Sequence, residues 1–235
     1  MTYSILAQDP ESGAFGAAVA SRFFAVGAIC TYAEGQVGAL STQALVNPLY
    51  GAQGLALLRD GASADDVVAR LVGPDPGRAQ RQFHVIDRMG QVAQHTGADC
   101  VGWAGQQRRE GVSVAGNMLV GAAVLDAMLH GYETTPGTFA ERLLAALQAG
   151  EDAGGDKRGR QSAALRIHTD DPYPDLDIRA DDHPDPLAEL RRLHRVSLER
   201  FAVFRRHLAG RASPWGELDR AVIDAAVTRD GHPQP

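Results

Sequence analysis

The order of strand-like and helix-like segments along the chain constrains the fold more than any other feature of the sequence. Pairs of short apolar strands alternate with pairs of helices, whereas a parallel doubly wound sheet needs a helix after each strand. Two antiparallel sheets that face each other, with the helix pairs outside, would bury all of these apolar faces. The sequence therefore predicts an α+β fold, a four-layer α-β-β-α sandwich with a C-terminal helical extension.

Hydrophobic periodicity and turn residues give the positions of these elements. Pro10 and Gly13 separate the first two strands, and Gly90 lies between two later ones, so both pairs are expected to be hairpins. The predicted strands are residues 2–6, 16–20, 37–42, 82–87, 91–95, 112–115, 162–168 and 176–180. The predicted helices are one that ends near 61, one that begins after 63, 120–129, 139–147, one from 185 towards 210, and one that begins at 213–214.

Length and composition indicate one compact domain with a helical appendage. The chain has 235 residues, of which 44% are hydrophobic and 22% charged, close to average globular usage. We expect an α-β-β-α domain over residues 1–186 and a C-terminal helical appendage over 187–229 that packs on the core or on a partner subunit. Residues 230–235 are predicted to be a flexible tail.

Charge and hydropathy exclude several classes of partner. The formal net charge is −6, which argues against a domain that binds nucleic acid through its phosphates. No apolar run approaches the roughly 20 residues of a membrane helix. The segment from Met1 to Asp9 lacks the basic and apolar regions of an export signal. We therefore expect a cytoplasmic protein that contacts neither nucleic acid nor membrane.

The sequence also lacks the motifs of cofactor and metal chemistry. It contains no phosphate-binding loop, dinucleotide fingerprint, zinc-protease helix motif or nucleophile elbow. Cys30 and Cys100 fit no CxxC pattern and are interpreted as ordinary thiols. The cluster from Asp181 to Asp185 is interpreted as a turn with Asp185 capping a helix and Pro186 at its first position, rather than as a cation site. No cofactor and no metal are expected.

Thr2 is the first candidate for catalytic chemistry. An initiator Met is usually removed when the next side chain is as small as that of Thr2, which would make Thr2 the first residue. A terminal Thr carries both a nucleophilic hydroxyl and an α-amine with a reference pKa of about 7.7–8.0, which can act as its base. Thr is also a common second residue that merely begins a strand, and Thr2 taken alone favours this second interpretation.

Two glycine-containing segments are further candidates. The loop 154–162 contains Asp156, Lys157 and Arg158, and it is either a binding loop that clamps a carboxylate through Arg or a solvated basic turn. Asn117 follows Gly116 where a strand is predicted to give way to a helix, so its amide and helix-start N–H groups could face an oxyanion. The alternative for Asn117 is an ordinary helix N-cap. Near residues 41–51, Gln43 and Asn47 line a pocket or shape a turn.

Several long motifs occur in order along the chain. They are MTYSILAQDPESG at 1–13, ASRFFAVG at 20–27, STQA at 41–44, NPLYG at 47–51, GNML at 116–119, GGDKRGRQSAAL at 154–165 and DDHPDP at 181–186. Together they resemble the bacterial domain-of-unknown-function family number 1028, placed in the Ntn-hydrolase (N-terminal nucleophile hydrolase) superfamily. The resemblance spans about residues 2–195.

The superfamily resemblance implies an αββα sandwich and an amidohydrolase whose N-terminal Thr, Ser or Cys attacks a carbonyl. The opening is also similar to that of proteasome β-type chains, which implies that Ser21 and Arg22 lie beside Thr2. The catalytic Lys of those chains has no counterpart at the corresponding position, because Lys157 is the only lysine. Arg22 cannot readily accept a proton, so it could only orient groups or stabilise charge.

The favoured hypothesis is an amidohydrolase that cleaves a small polar amide or peptide-like bond through an acyl-enzyme on Thr2. Asn117 would help to form the oxyanion hole, and Arg158 and Asp156 would recognise the charged ends of the substrate. Ser21, Arg22, Gln43 and Asn47 are further candidates for the substrate pocket.

Two alternatives from other classes remain open. One is a non-catalytic αββα protein that binds a small ligand such as a cell-wall-related fragment, because some family members resemble fusions to a peptidoglycan-binding module. The other is an interaction protein that forms a homo-oligomer through its C-terminal helices, where Phe201 and Phe204 share one face.

Overall fold

Ten strands and seven α-helices make up the regular structure of residues 2–231, the part of the chain that the computed structural model describes. The strands are β1 (Thr2–Gln8), β2 (Phe15–Ser21), β3 (Thr31–Glu34), β4 (Gly38–Ala44), β5 (Arg81–Asp87), β6 (Val92–Thr96), β7 (Trp103–Arg109), β8 (Val112–Leu119), β9 (Ser162–His168) and β10 (Leu176–Ala180). The helices are α1 (Leu49–Arg59), α2 (Ala64–Val72), α3 (Ala123–Thr134), α4 (Phe139–Asp152), α5 (Pro186–Glu199), α6 (Phe201–Arg205) and α7 (Arg220–Asp230).

The strands form two antiparallel sheets. The larger has six strands in the order β10-β9-β2-β1-β8-β7, and the smaller has four in the order β3-β4-β5-β6. β1 therefore lies inside the larger sheet, paired with β2 on one side and with β8 on the other. This topology confirms the predicted mixed α+β fold with two antiparallel sheets.

Apolar side chains cover the outer face of each sheet and part of the inner face. Helices α3 and α4 pack on the six-stranded sheet, and α1 and α2 pack on the four-stranded sheet. The two sheets also contact each other through a small cluster that includes Leu6, Phe15 and Ile86, all of them fully or almost fully buried. Each helix pair in the sequence thus packs on the outer face of one sheet.

Local sequence signals set the helix starts. Ser63 and Thr138 cap α2 and α4, and each forms a capping box with the acidic residue three positions later. Asp185 caps α5, with its carboxylate accepting a hydrogen bond from the Ala188 N–H at 3.1 Å, and Pro186 occupies the first turn. The predicted role of Asp185 and Pro186 is therefore confirmed.

Strands β3 and β7 were not among the predicted elements. Both lie at sheet edges, where a strand needs neither length nor two apolar faces. β3 has only four residues, and β7 carries a run of polar residues from Gln106 to Arg109. Neither strand has the hydrophobic alternation that makes a buried strand visible in a sequence.

The C-terminal helices differ from their predicted bounds. The helix that begins at Pro186 ends at Glu199, because Arg200 has non-helical angles (φ −140°, ψ −46°), and it does not run on towards Gly210. The helix predicted to begin at 213–214 begins at Arg220, with Asp219 as its N-cap. Gly216 has φ 64° and closes a turn instead, so it interrupts any helix there.

The start of the predicted appendage packs on the core. Leu187 and Leu190 of α5 are buried in the same cluster as Leu143 of α4 and Leu165 of β9. The C-terminal residues 232–235 of the predicted tail lie outside the described part of the chain.

Gly16 allows α4 to approach β2 closely. A Cβ atom at Gly16 would overlap Leu143 and would lie 2.8 Å from Cζ of Phe139. Gly16→Ala is therefore expected to lower the free energy of unfolding by about 1–3 kcal/mol, because the side chains of Leu143 and Phe139 would have to shift within a packed helix–sheet contact. Urea unfolding measures this change.

Gly121→Ala is the matched control, because a Cβ atom at Gly121 would have no other atom within 4 Å and the φ of this residue is not in the left-handed region. Its effect should stay within about 0.5 kcal/mol. Equal stability of the two variants would contradict the packing role of Gly16.

Candidate functional site

A row of polar residues crosses the six-stranded sheet at the end where β1 begins. Thr2 pairs with Ser21 of β2 on one side and with Asn117 of β8 on the other, and Ser21 pairs in turn with Ser162 of β9. All four residues are buried. Because opposed residues of antiparallel strands have Cα atoms about 5 Å apart, the pairing alone brings these side chains together.

Thr2 lies on a cavity of about 210 Å³. Its Oγ1 is 3.1 Å from the Oγ of Ser21, within hydrogen-bond distance. Gln43 and Arg158 also line this cavity. The remaining lining residues are Phe23, Val26, Ile29, Cys30, Ala44 and Val46. The structure thus places Thr2, Ser21, Gln43 and Arg158 of the predicted site residues around one cavity.

Cys30 brings a thiol to the same cavity. Burial raises the pKa of its thiol to about 12, because the thiolate would be poorly solvated. A thiol with such a pKa is a poor nucleophile at neutral pH. Cys30 is therefore a weak candidate for a nucleophile.

Asn117 lines a second cavity of about 400 Å³. Ala44 belongs to the walls of both cavities, so they are neighbours across the row of Thr2 and Asn117. Ala44 and Met118 have φ angles of 67° and 56°, a left-handed conformation that non-glycine residues seldom adopt. Such strained positions occur most often at ligand and active sites.

The predicted position of Asn117 at a helix start was wrong. Asn117 lies within β8, which continues to Leu119, and α3 begins only at Ala123. The strand continues because residues up to Leu119 still pair with β7. This segment therefore contributes the side-chain amide of Asn117 to the row of polar residues, and not the N–H groups of a helix start.

Gln82 links Asn117 to the other sheet. Its Oε1 accepts hydrogen bonds from Nδ2 of Asn117 at 3.1 Å and from Nε2 of Gln43 at 2.7 Å. Its own Nε2 donates to the backbone oxygens of Gly116 and Gly105, both at 2.9 Å. These bonds fix the orientation of the two amides. Gln82 was not predicted as a site residue, and no motif in the sequence of β5 marks its amide.

His84 forms a second buried polar cluster behind the cavities. Its Nε2 lies 2.8 Å from the Oγ of Ser4, and its Nδ1 lies 2.7 Å from the Oγ of Ser113. Ser4 also donates to Oε1 of Gln43 at 2.7 Å, which connects the cluster to the Thr2 cavity. Complete burial lowers the pKa of His84 to about 3, so the imidazole is neutral at physiological pH.

The carboxylate of Asp156 is used to hold its own loop. Its oxygens accept hydrogen bonds from the backbone N–H groups of Arg158 at 2.7 Å and Arg22 at 3.1 Å, and it forms an ion pair with the Arg158 side chain at 3.2 Å. Asp156 has a side-chain exposure of 1% and is in neither cavity lining. Arg158 is 44% exposed and reaches the cavity, whereas Lys157 is exposed on the loop.

Two other predicted residues lie outside both cavity linings. Asn47 caps the turn before α1, with its Oδ1 accepting from the Leu49 N–H at 3.2 Å. Arg22 is exposed, and its guanidinium donates to the backbone oxygen of Arg158 at 3.3 Å. Arg22 is therefore connected to the Thr2 cavity by its hydrogen bond to Arg158, which lines that cavity. Asn47 shapes a turn.

Residues 2–231 contain no group of three or more His, Cys, Asp or Glu side chains arranged to hold a metal ion. Among the same residues, no helix is long and apolar enough to span a membrane.

The fold and the polar row define an α+β protein with a small cleft around a buried Thr. The model of a family of unknown function, DUF1028, matches residues 2–190. The crystal structure of protein SPO2555 from Silicibacter pomeroyi, also assigned to DUF1028, is similar with a TM-score of 0.86 and 33% identity, covering 93% of this chain and 96% of that chain. No curated protein matches. The chain belongs to the DUF1028 family.

Burial of His84 makes the stability of the protein dependent on pH. The pKa of His84 is about 3 in the folded protein, against about 6.5 for an unperturbed His. Between these values the unfolded state binds more protons, so this contribution is present above pH 6.5 and is lost as the pH falls towards 3. Urea unfolding should show a loss from this residue of about 2–3 kcal/mol between pH 7.5 and pH 4.5.

Comparison of two histidine variants isolates this component from the carboxylates that titrate in the same range. His84→Gln should show a smaller loss of stability between the two pH values than the wild type. His130→Gln, on the exposed face of α3, should keep the wild-type loss. The same pH dependence in His84→Gln as in the wild type would contradict the assignment.

Proposed function

We propose that this protein is an amidohydrolase of the Ntn type, which cleaves a small amide or peptide-like bond through an acyl-enzyme on Thr2. The observation that carries the proposal is the position of Thr2 at the start of an inner strand, with its hydroxyl on a cavity and beside Ser21. The mechanism requires Thr2 to be the first residue, which removal of Met1 would achieve; Met1 lies outside the described residues.

The arrangement of helices and sheets supports the same proposal. Two facing antiparallel sheets, each covered by a helix pair, are what the proposed four-layer α-β-β-α sandwich of Ntn hydrolases requires. In that architecture the nucleophile begins a strand, as Thr2 does here. A shared fold does not determine which reaction a protein catalyses, so the proposal depends on the side chains around Thr2.

The proposed reaction uses one residue as both nucleophile and base. The α-amine of Thr2 takes the proton from Oγ1, and Oγ1 attacks the carbonyl carbon of the amide. The tetrahedral intermediate then collapses: the C–N bond breaks, and the amine product leaves with the proton. Water hydrolyses the resulting ester, which releases the acid and restores Thr2. The exposed Lys157 is not needed as a base in this scheme.

Asn117 is the proposed oxyanion donor. Among the described residues, its amide nitrogen donates one hydrogen bond, to Gln82, which leaves its second N–H for the oxyanion. The bond to Gln82 fixes the amide before the reaction begins, and preorganised donors are the effective ones in oxyanion stabilisation.

The other predicted residues have supporting parts in this scheme. Ser21 orients the Thr2 hydroxyl, and Gln43 forms a polar wall of the cavity. Arg158 contacts the anionic part of the substrate at the cavity edge, while Asp156 holds Arg158 and the backbone of Arg22 in place.

Substitution of Thr2 tests the proposal directly. A β-lactone acylates N-terminal hydroxyl nucleophiles, and intact-mass analysis detects both the adduct and the loss of Met1. Wild-type protein that lacks Met1 should be acylated at Thr2. Thr2→Ala should react at least about 10³-fold more slowly, because the nucleophile is missing. Thr2→Ser, which keeps a hydroxyl, should retain measurable acylation.

Two outcomes would refute the mechanism. One is retention of Met1 on protein that still reacts, since the α-amine would then be blocked. The other is unchanged acylation of Thr2→Ala, since the adduct would have formed at another residue.

A second prediction concerns the oxyanion donor. Asn117→Ala should slow acylation by saturating β-lactone about 10²–10³-fold, because one preorganised donor to the tetrahedral intermediate is lost. Gln107→Ala, which removes an amide from the edge strand β7, should react like the wild type. Similar rates for both variants and the wild type would exclude Asn117 from this role.

A further inference from the structure

The cavity next to Asn117 combines apolar walls with a single carboxylate. Leu45, Val101 and Met118 contribute apolar side chains, and Asp99 and Gln80 are polar residues of the lining. Leu45 and Val101 are 53% and 65% exposed, and because both line this cavity they form an exposed apolar patch. A ligand with an apolar stem would cover this surface.

Within residues 2–231, Asp99 supplies the only ionisable side chain in the lining of this cavity. Its backbone N–H is anchored to the carbonyl oxygen of Ala79 at 2.7 Å, which fixes the position of the residue. Its side chain is exposed at the cavity, so the carboxylate is accessible to a ligand. A carboxylate placed in this way can accept hydrogen bonds from a cationic ligand.

The cavity is also positioned to receive one side of the substrate. Asn117 belongs to its lining, whereas the neighbouring Thr2 belongs to the smaller cavity, and the two residues are paired across adjacent strands. An amide held between Thr2 and Asn117 would therefore send one of its substituents into the cavity that contains Asp99. The volume of about 400 Å³ lies within the range of small-ligand pockets.

We infer that the substrate carries a primary amine on an apolar stem, as a lysine or ornithine side chain does, and that Asp99 selects for this group. The stem packs on Leu45, Val101 and Met118, and the ammonium lies against Asp99. This inference rests on the proposed function, because the amide is placed by Thr2 and Asn117. Asp99 takes the part of the acidic recognition residue that the sequence assigned to Asp156.

Three matched amides test the inference: the methylamides of Nα-acetyl-lysine, Nα-acetyl-norleucine and Nα-acetyl-glutamate. Each has an amide on both sides of the variable side chain, so the test does not depend on which side of the scissile bond enters the cavity. Binding is measured by calorimetry with Thr2→Ala, which removes turnover. The lysine compound should bind about tenfold more tightly than the norleucine compound, and the glutamate compound more weakly than both.

Charge variants in the Thr2→Ala background assign the preference to Asp99. Asp99→Asn should abolish the difference between the lysine and norleucine compounds, and Asp99→Lys should make the glutamate compound the tightest ligand. Glu110→Gln is the control, because it removes one exposed acidic charge at the other end of β8 and should leave the preference intact. Equal affinities, a preference that survives Asp99→Asn, or absence of binding by all three compounds would overturn the inference.

Hydrolysis by the wild type, followed by mass spectrometry, separates this inference from the proposed function. Asp99-dependent binding of the lysine compound without cleavage of any compound would refute the amidohydrolase and retain the recognition site. Cleavage of all three compounds with equal kcat/KM would retain the amidohydrolase and refute the role of Asp99.

Discussion

The hydrogen bonds of the Gln82 amide join the two sheets at the end where the site lies. Gln82 belongs to the four-stranded sheet, yet it donates to backbone oxygens of β7 and β8 in the six-stranded sheet. A buried amide left without partners would cost roughly 1–3 kcal/mol, so these bonds favour one relative position of the sheets. Since Oε1 of the same amide binds both Asn117 and Gln43, the orientation of the site depends on the contact that aligns the sheets.

The rest of the site follows from this alignment and from strand pairing. The pairing of β1 with β2 and β8 places Thr2 between Ser21 and Asn117, and the facing sheet brings Gln43 to the same cavity. His84 extends the polar interior away from the cavities, and its low pKa keeps that interior uncharged. The charged side chains that line the two cavities, Arg158 and Asp99, are both exposed to solvent.

The two cavities differ in the charge of the residues that line them. Arg158 lines the cavity of Thr2, and Asp99 lines the cavity of Asn117, so groups of opposite charge lie on either side of the polar row. Asp156 is not part of this arrangement, because its carboxylate is taken up within its own loop. A substrate that spans both cavities is therefore expected to present different chemical groups to each.

Local elements could be predicted from the amino-acid sequence: the two hairpins, the helix pairs and the cap at Asp185. These elements depend on residues only a few positions apart. Hydrophobic periodicity and capping residues indicate such local structure directly. The sequence also pointed to Thr2, Ser21, Gln43, Asn117 and Arg158. The order of strands, the edge strands β3 and β7, and the buried hydrogen bonds of Gln82 and His84 became visible in the folded chain alone. Their contacts join residues far apart in the chain, and no local pattern records which distant partner a buried polar group will find.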